Sequence, residues 1–357
     1  MNALARPSLR FWSDAEPLEC VATLPEAPNV MTFCFQAPSG ALFGHDPGQF
    51  ITLELPVPGG TVWRTYTISS SPSRPLSISV TVKAQPLSVG TRWMLQNLKP
   101  GVRIKAFGPS GIFSFHKHPA RKYLFISAGS GITPMMSMTT WAWDSGEASD
   151  IVFVHAARRP SDIIFRHRLE QFVNRTTNLQ LHFTVEEPDT FGAWYGYRGR
   201  LSQIMLGLMA PDYLEREVFC CGPEPFMQAV RDMLVSLGFD MDHYHQESFG
   251  APIKTEADAP VIEDTVPEEG AKAQITFADS GVTAPCAETD TVLAVAKRSG
   301  LNIPSGCTFG LCGTCKIRKL SGEVHMVHNG GISDEDIDEG FILACCSHPL
   351  GKVEVAV

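Results

Sequence analysis

The chain has 357 residues, 44% of them hydrophobic and 19% charged, with a formal net charge of −9 at pH 7. It is too long for one ordinary core, and its composition excludes collagen-like and wholly disordered classes. The charge is uneven: residues 251–357 hold 16 Asp and Glu against 8 Lys and Arg, and residues 1–250 hold 22 against 21. An acidic module on a near-neutral body argues against nucleic-acid binding. It suits either steering toward a basic protein partner or plain solubility.

The first residues, MNALARPSLRFWSD, contain no apolar run long enough for a secretory signal. A cytoplasmic protein is expected. Up to about residue 119 the chain reads as short strands, such as QFITLEL (49–55), TVWRTYTIS (61–69) and LSISVTVK (76–83). They are rich in Val, Ile, Thr and aromatics and are bounded by Pro and Gly, which predicts an antiparallel β-barrel over 1–119. Arg64-Thr65-Tyr66-Thr67 lies in this region, and taken alone it is compatible with an ordinary strand carrying a paired Arg.

From Arg121 the rhythm changes. YLFISAG, IVFVHAA (151–157), LQLHFTV (179–185) and EVFCCGP (217–223) read as strands, with helices predicted at 165–174 and 225–237. Alternating strand and helix implies a parallel sheet, here an α/β domain over 120–250. Residues 123–143 carry no charge and are long enough to span a membrane. Gly129, Gly131, Pro134 and several Ser and Thr suit a buried strand, a turn and a packed helix instead, so no membrane association is expected. Gly129-Ser130-Gly131-Ile132-Thr133-Pro134 falls between that strand and helix, and Cys221-Gly222-Pro223 ends a later strand. Residues 251–272, rich in Pro and acid, read as a linker, and 273–357 as a compact unit.

Of the ten cysteines, Cys307, Cys312, Cys315, Cys345 and Cys346 crowd the last sixth of the chain. The spacing Cys307-x4-Cys312-x2-Cys315 with a distant fourth cysteine is that of a plant-type [2Fe-2S] cluster, which needs two thiolates per iron. Glycines in the loop let backbone N–H groups reach the sulfides. A structural zinc site would use two spaced pairs, and Cys345-Cys346 has no gap. A Rieske centre needs a second histidine-bearing motif that does not follow Cys346-Ser347-His348. Two His-x-His pairs, His116 with His118 and His243 with His245, have no carboxylate or cysteine pattern beside them and are expected to be solvated or packed rather than ligands.

Arg64-x-Tyr66-Thr67, the Gly129/Gly131 turn, Cys221-Gly222-Pro223 and the cysteine cluster occur in one order, and in that order the chain resembles the ferredoxin-NADP⁺ reductase superfamily fused to a plant-type ferredoxin. The layout is that of the reductase components of Rieske-type oxygenases, including the phthalate dioxygenase and glycine betaine monooxygenase types. The resemblance implies a flavin barrel, a nicotinamide α/β domain and an α+β β-grasp ferredoxin domain. It implies that Arg64 neutralises flavin phosphate, Tyr66 packs on the isoalloxazine, Thr67 bonds near its N5, and Thr91 contacts phosphate, although Ser88 stands where a Gly is usual. Gly129, Gly131 and Pro134 would form the dinucleotide turn. Cys221, with Gly222 and Pro223, and Glu247 would lie at the hydride-transfer site. Cys345 rather than Cys346 matches the ferredoxin interval after Cys315.

A flavin joins a two-electron donor to a one-electron cluster. The implied activity is therefore NADH-dependent electron transfer through flavin and [2Fe-2S] to a terminal oxygenase, with glycine betaine or a related quaternary ammonium compound as that oxygenase's substrate. A hybrid-cluster protein or a diiron oxygenase is an alternative acceptor, and a zinc-stabilised interaction module on a degenerate reductase is the alternative of another class. Gly90-Thr91 leans to FAD and the phthalate dioxygenase type to FMN. Arg158 or Arg159 could hold a 2′-phosphate, whereas similar reductases mostly use NADH; NADH is the expectation.

Overall fold

The computed structural model describes residues 10–85, 88–249, 271–306, 308, 310, 312–328 and 331–357. The chain divides into two compact units, Met1–Thr61 with Tyr66–Gly250, and Val62–Thr65 with Ala251–Val357.

The N-terminal strands are β1 (Leu18–Ala27), β2 (Val30–Gln36), β3 (Phe50–Val57), β4 (Gly60–Thr67), β5 (Ile78–Lys83), β6 (Arg103–Ile104) and β7 (Ala106–Ser110). They form the barrel as two antiparallel sheets, ordered β5-β2-β1-β6 and β4-β3-β7. An isolated bridge between Ile68 and Val80 links the end of β4 to β5. The β1–β2 hairpin closes through Pro28-Asn29, with Asn29 at φ 59°, a left-handed position that Asn tolerates. Helix α1 (Val89–Asn97) starts at Ser88, whose hydroxyl accepts the Thr91 N–H at 3.3 Å.

The second module holds β8 (Lys122–Ala128), α2 (Ile132–Ser145), β9 (Asp150–Ala157), α3 (Arg166–Val173), β10 (Leu179–Val185), β11 (Tyr197–Arg198), α4 (Gln203–Met209), β12 (Glu217–Cys221), α5 (Glu224–Ser236) and β13 (Tyr244–Glu247). All six strands are parallel, in the order β11-β10-β9-β8-β12-β13. Phe125, Phe153 and Phe219 pack on one face, and Leu124, Ile126, Val152, Val154 and Val218 on the other. Burial on both faces explains why these strands read as continuous apolar runs. The uncharged 123–143 stretch resolves into β8, a 3-10 turn at Gly129–Gly131 and α2. No helix among the described residues is long and apolar enough to cross a membrane.

The third module consists of β14 (Lys272–Phe277), β15 (Val282–Ala287), α6 (Val292–Arg298), β16 (Lys316–Met326), α7 (Asp334–Asp338), β17 (Phe341–Leu343) and β18 (Ser347–Val355). Its mixed sheet runs β15-β14-β18-β16-β17. Helix α6, capped by Thr291, places Val292 and Val295 in a core with Ile275, Phe277, Leu343 and Val353. Most of the expected linker, residues 251–270, lies outside the described residues, and Lys272 already belongs to β14.

Candidate functional site

The parallel sheet has its switch point between β8 and β12, where connections leave in opposite directions and ligands of open α/β sheets bind at the carboxyl ends. Strand β8 ends at Ala128, and the chain turns through Gly129 at φ 55°, a conformation that disfavours any side chain. No atom lies within 4 Å of where a Gly129 Cβ would stand, so the turn leaves open space above its backbone. Gly131 is the converse: a Cβ there would overlap the Cys221 carbonyl and the Gly222 nitrogen. The two glycine motifs, 90 residues apart, therefore meet backbone to backbone. Pro134 is buried in the first turn of α2, and Thr133 donates to the Ser130 carbonyl at 3.0 Å.

Parallel pairing places Cys221 of β12 opposite Glu247 of β13. Both are buried, at 0% and 4% exposure. Burial, followed by the neighbouring Glu247, holds the Cys221 thiol well above its usual range. Burial pushes Glu247 up to about 8, and its Oε2 has no hydrogen-bond partner among the described residues. At neutral pH this carboxyl keeps its proton and can donate one hydrogen bond. Cys220, the adjacent residue, points to the opposite core, where burial raises its thiol to about 12. On the other side of β8, Ser127 Oγ lies 2.9 Å from Nδ1 of the fully buried His155 and ties the ends of β8 and β9 together.

Strand β9 runs out into Arg158 and Arg159. Glu187, just past the end of β10, meets both, at 3.4 Å and 2.9 Å. Glu187 carries no motif; its only signal in the sequence is its place two residues beyond a predicted strand.

In the barrel, Arg64 and Tyr66 alternate along β4 and share a face, while Thr67 faces the other way. The Arg64 guanidinium donates to the Trp63 carbonyl at 2.7 Å and meets no carboxylate among the described residues. A cation without a carboxylate partner fits an anionic phosphate. Thr67 is 4% exposed, and its hydroxyl has no hydrogen-bond partner among the described residues, which fits a polar ligand atom. Thr91 is less open: its hydroxyl accepts the Gln85 N–H at 3.2 Å and donates to the Ser88 carbonyl at 3.4 Å.

In the C-terminal module Cys312, Cys315 and Cys345 are buried, and Cys307 lies outside the described residues. Lys316 pairs with Leu343, and the Ala344 N–H donates to the Cys315 carbonyl at 3.0 Å, so Cys345 is carried to Cys315 by strand register. The loop before Cys315 passes through left-handed Thr308, Gly310 and Gly313. A Cβ on Gly310 would crowd Cys346 Sγ and the His328 backbone, both at 2.8 Å. Cys346 is less buried than Cys345 and directs its thiol to the Leu343 carbonyl at 3.7 Å. Cys315 and Cys345 share one core, and the buried Cys312 lies three residues before Cys315 on a glycine-rich loop, which fits a thiolate-ligated cluster.

Comparison with known proteins agrees with this division. Residues 20–115 match the oxidoreductase FAD-binding domain, 125–232 the oxidoreductase NAD-binding domain, and 275–350 the 2Fe-2S iron-sulfur cluster binding domain. The chain is 65% identical, over 97% of its length and 98% of the relative's, to the stachydrine N-demethylase reductase subunit Stc4 of Rhizobium meliloti (strain 1021). It is 47% identical to the glycine betaine monooxygenase reductase subunit of Chromohalobacter salexigens, covering 95% of this chain and 94% of that one. Among solved structures, phthalate dioxygenase reductase superposes with a TM-score of 0.60 at 22% identity, covering 97% of this chain and 100% of that one.

Proposed function

The chain belongs to the family of oxygenase reductase subunits that carry FAD-binding, NAD-binding and [2Fe-2S]-binding domains; on that premise we propose that it carries electrons from NADH to a Rieske-type oxygenase that demethylates a quaternary ammonium compound such as stachydrine or glycine betaine. The observation that carries this reading is the meeting of Gly131, Cys221 and Glu247 at the switch point, in a chain that also buries Cys315 and Cys345 in one core and Cys312 beside them in sequence.

A flavin held here would supply the exchange between two-electron and one-electron transfer that a [2Fe-2S] cluster requires. The residues of this chain bind, orient and exclude water. Gly129 and Gly131 let the backbone approach the dinucleotide at the start of α2, where free N–H groups favour an anion. Cys221 and Glu247 present a dry, uncharged floor at neutral pH, with one proton held on the carboxyl. Gly222 and Pro223 turn the chain away from that floor into α5. Arg64 supplies charge for the flavin phosphate, Tyr66 the ring that packs on the isoalloxazine, and Thr67 a buried hydroxyl near its polar edge. Thr91 contributes through the first turn of α1. Cys307, Cys312, Cys315 and Cys345 hold the cluster; the burial of Cys345 beside Cys315 supports it over Cys346 as the fourth ligand.

The choice of NADH is supported by Glu187. Its carboxylate engages both arginines that a 2′-phosphate would need. The acceptor and its substrate are supported by the likeness to the stachydrine and glycine betaine systems.

The test is reconstitution with a candidate oxygenase, following formaldehyde release from stachydrine and from glycine betaine with NADH. Coupled release with either compound is the expected result. Rapid NADH-dependent dye reduction without coupled release from either would sink the oxygenase assignment and leave the reductase chemistry standing.

A further inference from the structure

At the amino edge of the parallel sheet, remote from the glycine turn, side chains from three segments converge. His118 comes from the stretch that enters β8, Glu217 opens β12, and His245 is the second residue of β13. One donor atom from each lies within 4.8 Å of the other two. Glu217 Oε1 is 2.6 Å from His245 Nε2, and its Oε2 is 2.8 Å from His243 Nδ1. The His118 ring stacks on His245 with centroids 3.6 Å apart and planes 22° apart. Phe219 closes the inner side, 5.0 Å from His245 and 6.0 Å from His118. Glu217 and His245 are mostly buried, at 12% and 15% side-chain exposure, whereas His243 at 58% opens to solvent and offers an entry path.

We propose that His118, Glu217 and His245 form a binding site for one divalent transition-metal ion of the zinc class, with His243 bonded to the other oxygen of Glu217 beside it. Two imidazoles and one carboxylate with an open fourth position is a zinc-type donor set. It is too poor in oxygen for calcium or magnesium. Tetrahedral zinc with bonds of about 2.0–2.2 Å sets its ligand atoms roughly 3.3 Å apart. The Glu217–His245 contact is shorter than that value and all three donor atoms lie within 4.8 Å of one another, so binding would open the Glu217–His245 contact and turn the His118 ring off the face of His245, because one ion cannot lie in the planes of two stacked imidazoles. Glu217 falls within the matched NAD-binding domain, but at the opposite end of β12 from Cys221. Four residues of strand, about 13 Å, separate Glu217 from Cys221 on the same face of β12. His245 lies two residues from Glu247, so a metal here would pin the strand that carries that carboxyl.

The experiment uses holoprotein with full iron content, dialysed against zinc and then against metal-free buffer, with zinc and iron counted by mass spectrometry. One zinc per chain with iron unchanged is expected, together with a zinc-dependent rise in melting temperature. His118→Gln and Glu217→Gln should each weaken zinc binding at least about tenfold and abolish that rise, and His243→Gln should do less. His118→Gln should keep flavin and cluster absorption and NADH-dependent dye reduction. Because His118 lies outside the strands, this variant decides the matter even if Glu217→Gln fails to fold. Zinc retained equally by His118→Gln, zinc gained only as iron is lost, or no zinc above background would each overturn the proposal; the last would leave a hydrogen-bonded Glu–His cluster.

Discussion

The two edges of the six-stranded parallel sheet are made by the same strands and treat polar groups in opposite ways. At the amino edge Arg216, Lys122 and Glu217 all have charged or hydrogen-bonding partners. Arg216, 3% exposed, donates to the carbonyls of Tyr123 and Asp150 and pairs with Asp150 at 3.0 Å and Asp212 at 2.7 Å. Lys122 bridges Asp212 and Glu215, and the Arg216 guanidinium, with Lys122, holds Asp212 down to about 2. At the carboxyl edge the buried Glu247 carries an oxygen with no partner among the described residues, and a glycine is required to keep two loops in contact. Satisfied groups hold a structure together; buried groups left short of partners mark where a ligand completes the structure. The amino edge is thus held by paired charges, which a metal ion could bridge, whereas the carboxyl edge keeps the unpaired oxygen and close backbone approach of the candidate dinucleotide site.

The sharpest way to break this contrast is at Arg216. Arg216→Met should cost about 3–5 kcal/mol, because it strands two carbonyls and two carboxylates around a buried position. A large fall in melting temperature, with the hydride-transfer rate of the surviving folded protein within about twofold of wild type, would bear the contrast out. An equal loss of rate would show that the edges are not separable.

Glu247 tests the other edge by pH. Its folded value, about 8, lies above the ordinary 4.5. Below about 4.5 both folded and unfolded chains hold the proton, and its burial carries no ionisation penalty. As pH rises toward 8 the unfolded chain ionises while the folded carboxyl cannot, so stability falls, by roughly 5 kcal/mol at most, and then levels. Glu247→Gln should flatten that slope between pH 4.5 and 8 in unfolding measurements; an unchanged slope would remove the claim of a proton held at the site.

Gly131→Ala should slow NADH-driven flavin reduction about 10²-fold, or about 2.7 kcal/mol, while leaving flavin absorption in place. Stopped-flow rates near wild type would mean that the close approach to Cys221 does not serve the dinucleotide. The smallest effect is expected at the surface. Glu187→Ala frees Arg158 and Arg159 and should raise NADPH use relative to NADH about threefold, since exposed pairs are weak. Unchanged selectivity would place the arginines away from the ribose.

Much of this was legible because it is written in short intervals. Cys307-x4-Cys312-x2-Cys315 states its chemistry within nine residues, and the strands at 151–157, 179–185 and 217–223 announce themselves by burial on both faces. Strand β13 was not legible: Tyr-His-Gln-Glu has neither the alternation nor the β-branched residues of a strand, and it forms because β12 offers it an edge. The Thr91 motif was legible as a motif, but its hydroxyl is drawn into the cap of α1 by Ser88, a local competition that spacing alone does not reveal.

What the sequence determined by itself is therefore the order of the modules, the identity of the cluster loop and the presence of two glycine turns, because each rests on covalent spacing and local conformational preference. Only the tertiary structure decided that Gly131 touches Cys221, that Glu247 stands buried beside that thiol, that Glu187 faces Arg158 and Arg159, and that His118, Glu217 and His245 converge. Those juxtapositions come from parallel register and loop return across tens of residues, and from the removal of water that makes a lone carboxyl keep its proton.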